Sequence, residues 1–323
     1  MIKADHKRFV ALITGFLISG LLLWLALRDI NLAHVWQAFA SVKLPQLALC
    51  IAFVFGGILL RSIRWRLILG LPRSEQLQVV RATFLGVLAN MILPGRAGEF
   101  VRAITLARLR GTTVAGPLAG AVIDRLVDML VLFVAGMVIY MVYPAGALLA
   151  KWLLALAIIF ATIGALVALR VSKIYNLFRE QWFALLRRVI SKWPVSVETF
   201  LVELKREFVQ SGRSSVRTEL LLVVLLILAF DYIAFYTLML AFGLSIPPLA
   251  PLLVWVFFAA GSILPSAPGY VGVYQVAAIF SLSLYQVPAA TSVAFATVFQ
   301  IIMLLVALAA AGPSSMQLFK ERQ

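Results

Sequence analysis

The sequence predicts an all-α polytopic membrane protein, with about six spanning helices and two re-entrant helical hairpins arranged as an inverted-topology repeat. Three observations carry that prediction. Of 323 residues, 63% are hydrophobic and only 13% charged, with a mean hydropathy of +1.04, a balance foreign to a soluble domain. The apolar runs are long enough to cross a hydrocarbon core of ~30 Å as helices of about 20 residues, and they lack the short alternating segments of an outer-membrane barrel. Finally, two apolar stretches are broken in the middle by matching punctuation, "ILPGRAGE" at 92–99 and "ILPSAPGYVG" at 263–272.

The net charge of +15 raises nucleic acid as a partner, but the basic residues fall between the apolar runs, where the positive-inside rule expects them. No nucleic-acid partner is therefore expected. Lys3, Lys7 and Arg8, then Arg61, Arg64, Arg66 and Arg73, then Arg102, Arg108 and Arg110, then Arg170 through Arg217 mark cytoplasmic connections. The stretches Met129–Ala150 and Tyr232–Phe319 contain no charged residue and mark outward-facing ones. Both termini are expected on the cytoplasmic side of a bacterial-type inner membrane. The apolar stretch from Phe9 to Leu27 is too long for a signal peptide and lacks a convincing cleavage site, so it reads as an uncleaved first span. Cys50 is the sole cysteine and lies in an apolar run, which leaves no disulfide framework and no cysteine metal cluster to expect.

Spans follow near 9–27, 44–60, 117–140, 149–169, 219–241 and 289–311 of one integral membrane domain, 1–323. Two stretches do not fit this count. Leu77–Arg110 is basic at both ends, so it should begin and end inside; Leu249–Tyr285 is uncharged at both ends and should begin and end outside. Each reads as helix, break, helix, because proline removes a backbone donor and clashes with the preceding turn while glycine permits the angles that end or restart a helix. Broken backbone is tolerated at membrane depth only where protein or a water-filled cavity surrounds it. Re-entrant hairpins whose tips meet inside the protein satisfy that condition; plain kinks at Pro94 and Pro265 are the simpler alternative.

The order span, hairpin, span recurs at about 44–140 and 219–311 with opposite predicted orientation. Inverted repeats of this kind place substrate sites at the repeat interface and build them from broken helices. Half-helices starting near Ala97 or Gly98 and near Gly269 would aim their N-termini at the centre and favour an anion. Candidate ligand-contacting residues at the first break are Asn90, Pro94, Arg96, Gly98, Glu99 and Arg102, and at the second Pro265, Pro268, Gly269, Gly272 and Gln275. Glu99 and Arg102, three apart on one helical face, can equally form an internal salt bridge.

The third span carries "IDRLVDML", with Asp124 and Asp128 on one face and Arg125 beside them. From Pro117, at ~1.5 Å per residue, Asp128 lies roughly 16 Å deep. Each such charge costs about 2.5–3.5 kcal/mol at a helix centre, so the three must be paired or face a polar cavity. Anchoring of this span to the first hairpin and handling of substrate or protons both remain open. Asp231, alone in "LLILAFDYIAFY", either pairs with a distant arginine or titrates. Gly116 and Gly120 form a small-xxx-small pair that can pack on another helix. The segment 172–217, basic and punctuated by Trp182, Phe183, Trp193, Phe200 and Phe208, reads as cytoplasmic interfacial helices on anionic headgroups, with a solvated linker as the alternative.

"NMILPGRAGEFVRA" at 90–103, "DRLVD" at 124–128 and "ILPSAPGYVGVYQ" at 263–275 resemble the signatures of the flippase-like family that includes the transmembrane region of lysylphosphatidylglycerol synthases. The resemblance covers roughly 9–311. It implies a lipid translocase or an accessory module, whereas the synthase activity of that family resides in a separate soluble domain and is not carried over. Gln275 stands where the family pattern more often has an acidic residue, and Asp124 where glutamate is more usual, so proton coupling through position 275 does not transfer.

The expected function is a lipid translocase, not an enzyme, for an anionic phospholipid, glycolipid or isoprenoid-phosphate headgroup. Its partners would be membrane lipids. The alternatives are a secondary transporter of a small anionic solute and a non-transporting subunit that docks a lipid-modifying enzyme or glycosyltransferase. Neither a cofactor nor a metal is expected.

Overall fold

In the computed structural model of the protein, the described residues are 17–93 apart from 18 and 29, 97–142, 199–263 with gaps at 201, 205 and 208–213, and 267–320. The expected span 149–169, most of the interfacial segment 172–217, and Pro94, Arg96 and Pro265 lie outside them.

The regular secondary structure of the described residues is all helical. Residues 19–27 are helical, and α1 (Leu32–Ala40), α2 (Leu44–Ile68), α3 (Gln76–Ile92), α4 (Gly98–Arg110), α5 (Ala115–Val142), α6 (Ser214–Ala241), α7 (Ala250–Gly261), α8 (Val273–Ser283) and α9 (Ala289–Lys320) follow. Three stretches among the described residues are long and apolar enough to cross a membrane: Leu44–Ile68, Val216–Ala241 and Ala289–Ala311. The 28-residue α5 is as long but interrupts its apolar surface with Asp124, Arg125 and Asp128.

One boundary needs correction. The first of these spans does not stop at residue 60, because α2 runs on to Ile68 and carries Arg61, Arg64 and Arg66 within the helix. Arg64 is 1% exposed. These arginines are therefore not a solvated flank. Arg66 closes the lower end of α2 instead: its Nε donates to Gln76 Oε1 at 2.8 Å and its Nη1 to the Leu71 carbonyl at 2.8 Å. Gln76 passes the link on to Ser62 Oγ at 2.9 Å, and Arg110 pairs with Glu75.

Close approach between helices is set by glycines. A Cβ on Gly56 would overlap the Phe230 ring, and one on Gly57 would stand 3.2 Å from an Arg61 Nη1 and 3.5 Å from Asp231 Oδ1. α6 thus lies hard against α2. Gly120 gives α5 the same access to Trp65 and Leu69 at the end of α2, and Gly116 of the expected small-xxx-small pair faces Glu203 and Arg206, which are also helical.

Both expected breaks are present. α3 and α4 pack on each other, as do α7 and α8. Leu93, just before Pro94 in sequence, is extended (φ −100°, ψ 141°), and Ala267, before Pro268, is extended too (φ −61°, ψ 163°). That is the conformation a following proline imposes. The second half-helix starts later than expected. Gly269 sits in a short 3-10 turn, Pro268–Tyr270, and α8 begins only at Val273, with Gly272 as its N-cap.

An aromatic core joins α6, α7, α8 and α9. Phe235 of α6 stacks on Phe299 of α9 at 4.7 Å, and Phe258 of α7 meets Tyr274 of α8 at 4.7 Å.

Candidate functional site

The end of α3 packs on the turn Pro268–Tyr270. A Cβ on Gly269 would lie 3.5 Å from the Met91 carbonyl oxygen. The backbone at the two breaks thus meets inside the molecule. Each break has an amide side chain that satisfies its exposed backbone groups. At the first, the Gly98 N–H donates to Asn90 Oδ1 at 2.8 Å, which caps α4 from across the gap. Gly98 can only be glycine here, since a Cβ would run into the Gly86 carbonyl and the Asn90 amide.

At the second break, the Gly272 N–H donates to Gln275 Oε1 at 2.8 Å, Gln275 Nε2 donates to Gln300 Oε1 at 2.7 Å, and Gln300 Nε2 donates to the Gly269 carbonyl at 2.7 Å. Gly269 and Gly272 have φ of +68° and +82°, in the left-handed region where glycine carries no steric penalty. Gln300 was not singled out in the sequence, where a polar residue in an apolar run gives no sign of its partner. Residues 19–27 cover this turn: the Ala267 N–H donates to Ser19 Oγ at 2.7 Å, and a Cβ on Gly272 would press on the Ser19 carbonyl.

Beside the first break, three arginines and three carboxylates close into a ring. Arg64 Nε reaches Asp124 Oδ1 at 2.7 Å; Asp124 Oδ2 meets Arg102 Nη2 at 2.9 Å. Arg102 Nη2 meets Glu99 Oε2 at 2.7 Å, and Glu99 Oε1 meets Arg125 Nη2 at 2.5 Å. Arg125 Nη1 continues to Asp128 Oδ2 at 3.1 Å, and Asp128 Oδ1 returns to Arg64 Nη2 at 2.6 Å. Every oxygen of the three carboxylates faces a guanidinium. The ring ties α2, α4 and α5 together, and the Arg102 guanidinium also lies 4.6 Å from the centre of the Trp65 ring. Both readings of "IDRLVDML" and of the Glu99 and Arg102 pair are informed by it: the Glu99–Arg102 salt bridge exists within α4, and the Arg102–Asp124 and Glu99–Arg125 pairs anchor α5 to α4. Arg64, the member that connects to α2, was misread in the sequence as part of a cytoplasmic flank.

Asp231 is paired as well. Arg61 Nη2 of α2 donates to its Oδ2 at 2.6 Å, and Trp255 Nε1 of α7 donates to the same oxygen at 2.9 Å. A residue 170 positions away in sequence is the distant arginine that the sequence called for.

Between these charges lies a cavity of about 230 Å³. Its lining combines Arg61, Arg64, Arg125, Asp128, Asp231 and Asn90 with aromatic and aliphatic side chains that include Trp255, Phe258, Tyr270 and Tyr274. α2, α3, α5, α6, α7, α8 and α9 and the second break all contribute. Of the expected site residues, Asn90, Arg125, Asp128 and Asp231 face it. Glu99, Arg102 and Asp124 stand behind its wall in the ring. Gln275 is not in the lining and is committed to holding the second turn, while Gly98, Pro268, Gly269 and Gly272 shape the breaks. Among the described residues no group of His, Cys, Asp and Glu is arranged to hold a metal.

The family model for the lysylphosphatidylglycerol synthase TM region matches residues 12–311, nearly the whole chain. This chain belongs to that family. It is a multi-pass membrane protein of the lysylphosphatidylglycerol synthase transmembrane type. The match spans both broken helix pairs, the charge ring and every residue of the cavity wall. No curated protein and no solved structure matches the chain.

Proposed function

We propose that the protein is a lipid translocase of the cytoplasmic membrane that carries an anionic headgroup through the cavity between its two halves. The observation that carries this reading is the mixed lining of the cavity, which brings guanidinium and carboxylate groups together with aromatic and aliphatic side chains. A headgroup finds hydrogen-bonding charge in the former, and the adjoining glycerol and chain carbons find apolar surface in the latter. Family membership adds support.

In this reading the pairs α3–α4 and α7–α8 are re-entrant hairpins, the first entering from the cytoplasm and the second from outside. Together with α2 and α5, and with α6 and α9, they form an inverted repeat. The asymmetry of basic flanks supports that topology, with both termini inside. The meeting of the two breaks supports a site near the midplane. The N-termini of α4 and α8 start there and add positive partial charge toward an anion.

Reconstitution into liposomes with headgroup-labelled phosphatidylglycerol tests the reading. Protein-dependent exposure of inner-leaflet label to an impermeant quencher is expected, with no uptake of radiolabelled inorganic phosphate. Phosphate uptake without headgroup exposure would make the protein a solute transporter. Neither activity would leave it a membrane subunit for a lipid-modifying enzyme or glycosyltransferase.

A further inference from the structure

The four arginines around the cavity are not equivalent. Arg64 and Arg102 are 1% and 4% exposed, and each is held by two carboxylates. Arg102 stands behind the wall, and Arg64, although in the lining, has almost no surface to offer a ligand. The side chains of Arg61 and Arg125 are 30% and 34% exposed, and both line the cavity. Within the lining Asp231 pairs with Arg61 and Asp128 with Arg125, and Arg125 also holds Glu99, which stands outside the lining, at 2.5 Å.

We propose that Arg61 and Arg125 form the seat for a phosphate ester, and that Asp231 and Asp128 are built-in counter-ions which occupy these guanidiniums until the ligand displaces them. The inference rests on the translocase reading for the source of the phosphate. The two guanidiniums of the seat come from α2 and α5: Arg61 reaches a carboxylate of α6, whereas Arg125 belongs to the ring on α2, α4 and α5.

Ion-pair exchange solves a specific difficulty. An uncompensated guanidinium in a water-poor cavity is costly, and so is a carboxylate left behind when its cation turns to a ligand. Each aspartate here has a second donor to fall back on. Asp231 Oδ2 keeps the Trp255 indole N–H at 2.9 Å, and Asp128 Oδ1 keeps Arg64 Nη2 at 2.6 Å. Arg61 and Arg125 can therefore turn their donors to a phosphate while neither carboxylate loses its last partner. No such fallback is needed for Asp124, which never faces the cavity.

The exchange makes a prediction of opposite signs. Removing a counter-ion should tighten phosphate binding, and removing an arginine should weaken it, because the ligand and the aspartate compete for the same donors. Titration of the full chain in detergent with short-chain phosphatidylglycerol reads this directly, with inorganic phosphate and glycerol phosphate in parallel. Asp231→Asn should tighten binding about tenfold and Arg61→Gln weaken it by at least as much, with Arg125→Gln like Arg61→Gln. Tighter binding of the lipid alone assigns the seat to a headgroup, and tighter binding of all three assigns it to phosphate at large. Arg61→Lys, which keeps the charge but loses the fork, guards against misfolding of Arg61→Gln and should bind with intermediate affinity. Weakening in both Asp231→Asn and Arg61→Gln, or no change in either, overturns the seat. Opposite-sign shifts in a protein that fails to move headgroups in liposomes would instead overturn the translocase reading and leave the seat standing.

Discussion

Arg64 of α2 and Asp124 of α5 are joined at 2.7 Å with side-chain exposures of 1% and 2%. Neither can exchange its partner for water. Arg64 also holds Asp128 at 2.6 Å, so one guanidinium compensates two carboxylates of α5. Arg64→Gln should therefore be among the most damaging substitutions in the chain, at about 3–5 kcal/mol, since it strands buried charge. Thermal unfolding of the detergent-solubilised protein, followed by size exclusion, measures it. Adding Asp128→Asn should recover part of the loss, and strict additivity of the two changes would falsify the coupling.

Arg125 occupies the ring's open edge, with 34% of its side chain exposed. Arg125→Gln should cost less in stability than Arg64→Gln, because water and cavity groups can reach the carboxylates it leaves. In headgroup-translocation assays normalised to folded protein the order should reverse, with Arg125→Gln retaining almost no activity. Equal stability losses in the two variants would contradict the difference in their surroundings.

Gly98→Ala tests the first break. The added methyl would meet the Gly86 carbonyl and the Asn90 side chain, neither of which can retreat without disturbing the cap on α4. A loss of about 1–3 kcal/mol is expected from overpacking. Gly111→Ala makes a useful contrast: no atom lies within 4 Å of a Cβ there, but its φ is +62°, so its smaller cost, about 1 kcal/mol, comes from backbone preference alone.

Gln300→Leu should destabilise the second break, since it withdraws the donor to the Gly269 carbonyl and the acceptor for Gln275 Nε2. The Gly269 carbonyl would lose this donor and Gln275 Nε2 would keep only Thr297 Oγ1 at 3.4 Å, at about 1–3 kcal/mol in all. Faster hydrogen exchange confined to 267–275 is the expected signature. Exchange unchanged in that turn would mean that the amide chain does not hold it.

Single cysteines at Ser245 and Gln286, in a Cys50→Ala background, test the topology. Both positions are exposed and flank α7–α8, while Cys50 is buried. Each should react with an impermeant thiol reagent from outside intact cells. Labelling from opposite faces would turn α7–α8 into a single kinked span.

The breaks were legible because proline and glycine act locally: Pro94 and Pro268 constrain the residue immediately before them whatever the rest of the chain does. The Glu99 and Arg102 pair was legible for a similar reason, three residues on one helical face. What escaped was long-range. Arg61 and Arg64 looked like the end of a span because an isolated helix cannot bury a guanidinium, and nothing in "LLRSIRWRL" shows that Asp231, Asp124 and Asp128 wait on other helices to accept it. The role of Gln275 in the turn escaped for the opposite reason. A polar residue beside a break suggested ligand contact, yet its amide is consumed by the turn itself.

The ring of three arginines and three carboxylates also constrains how the protein enters its membrane. α5 carries two of the acids and one of the bases, and as a lone segment leaving the insertion machinery it would face the bilayer with at least one carboxylate unmatched, at about 2.5–3.5 kcal/mol. Its complement, Arg64, belongs to α2, which is synthesised earlier, and Arg102 to α4, which directly precedes it. Stable integration of α5 thus depends on the earlier helices remaining close by until it emerges. A truncated chain that begins after α2 should leave α5 exposed to quality-control proteolysis, even though every residue of α5 itself is intact.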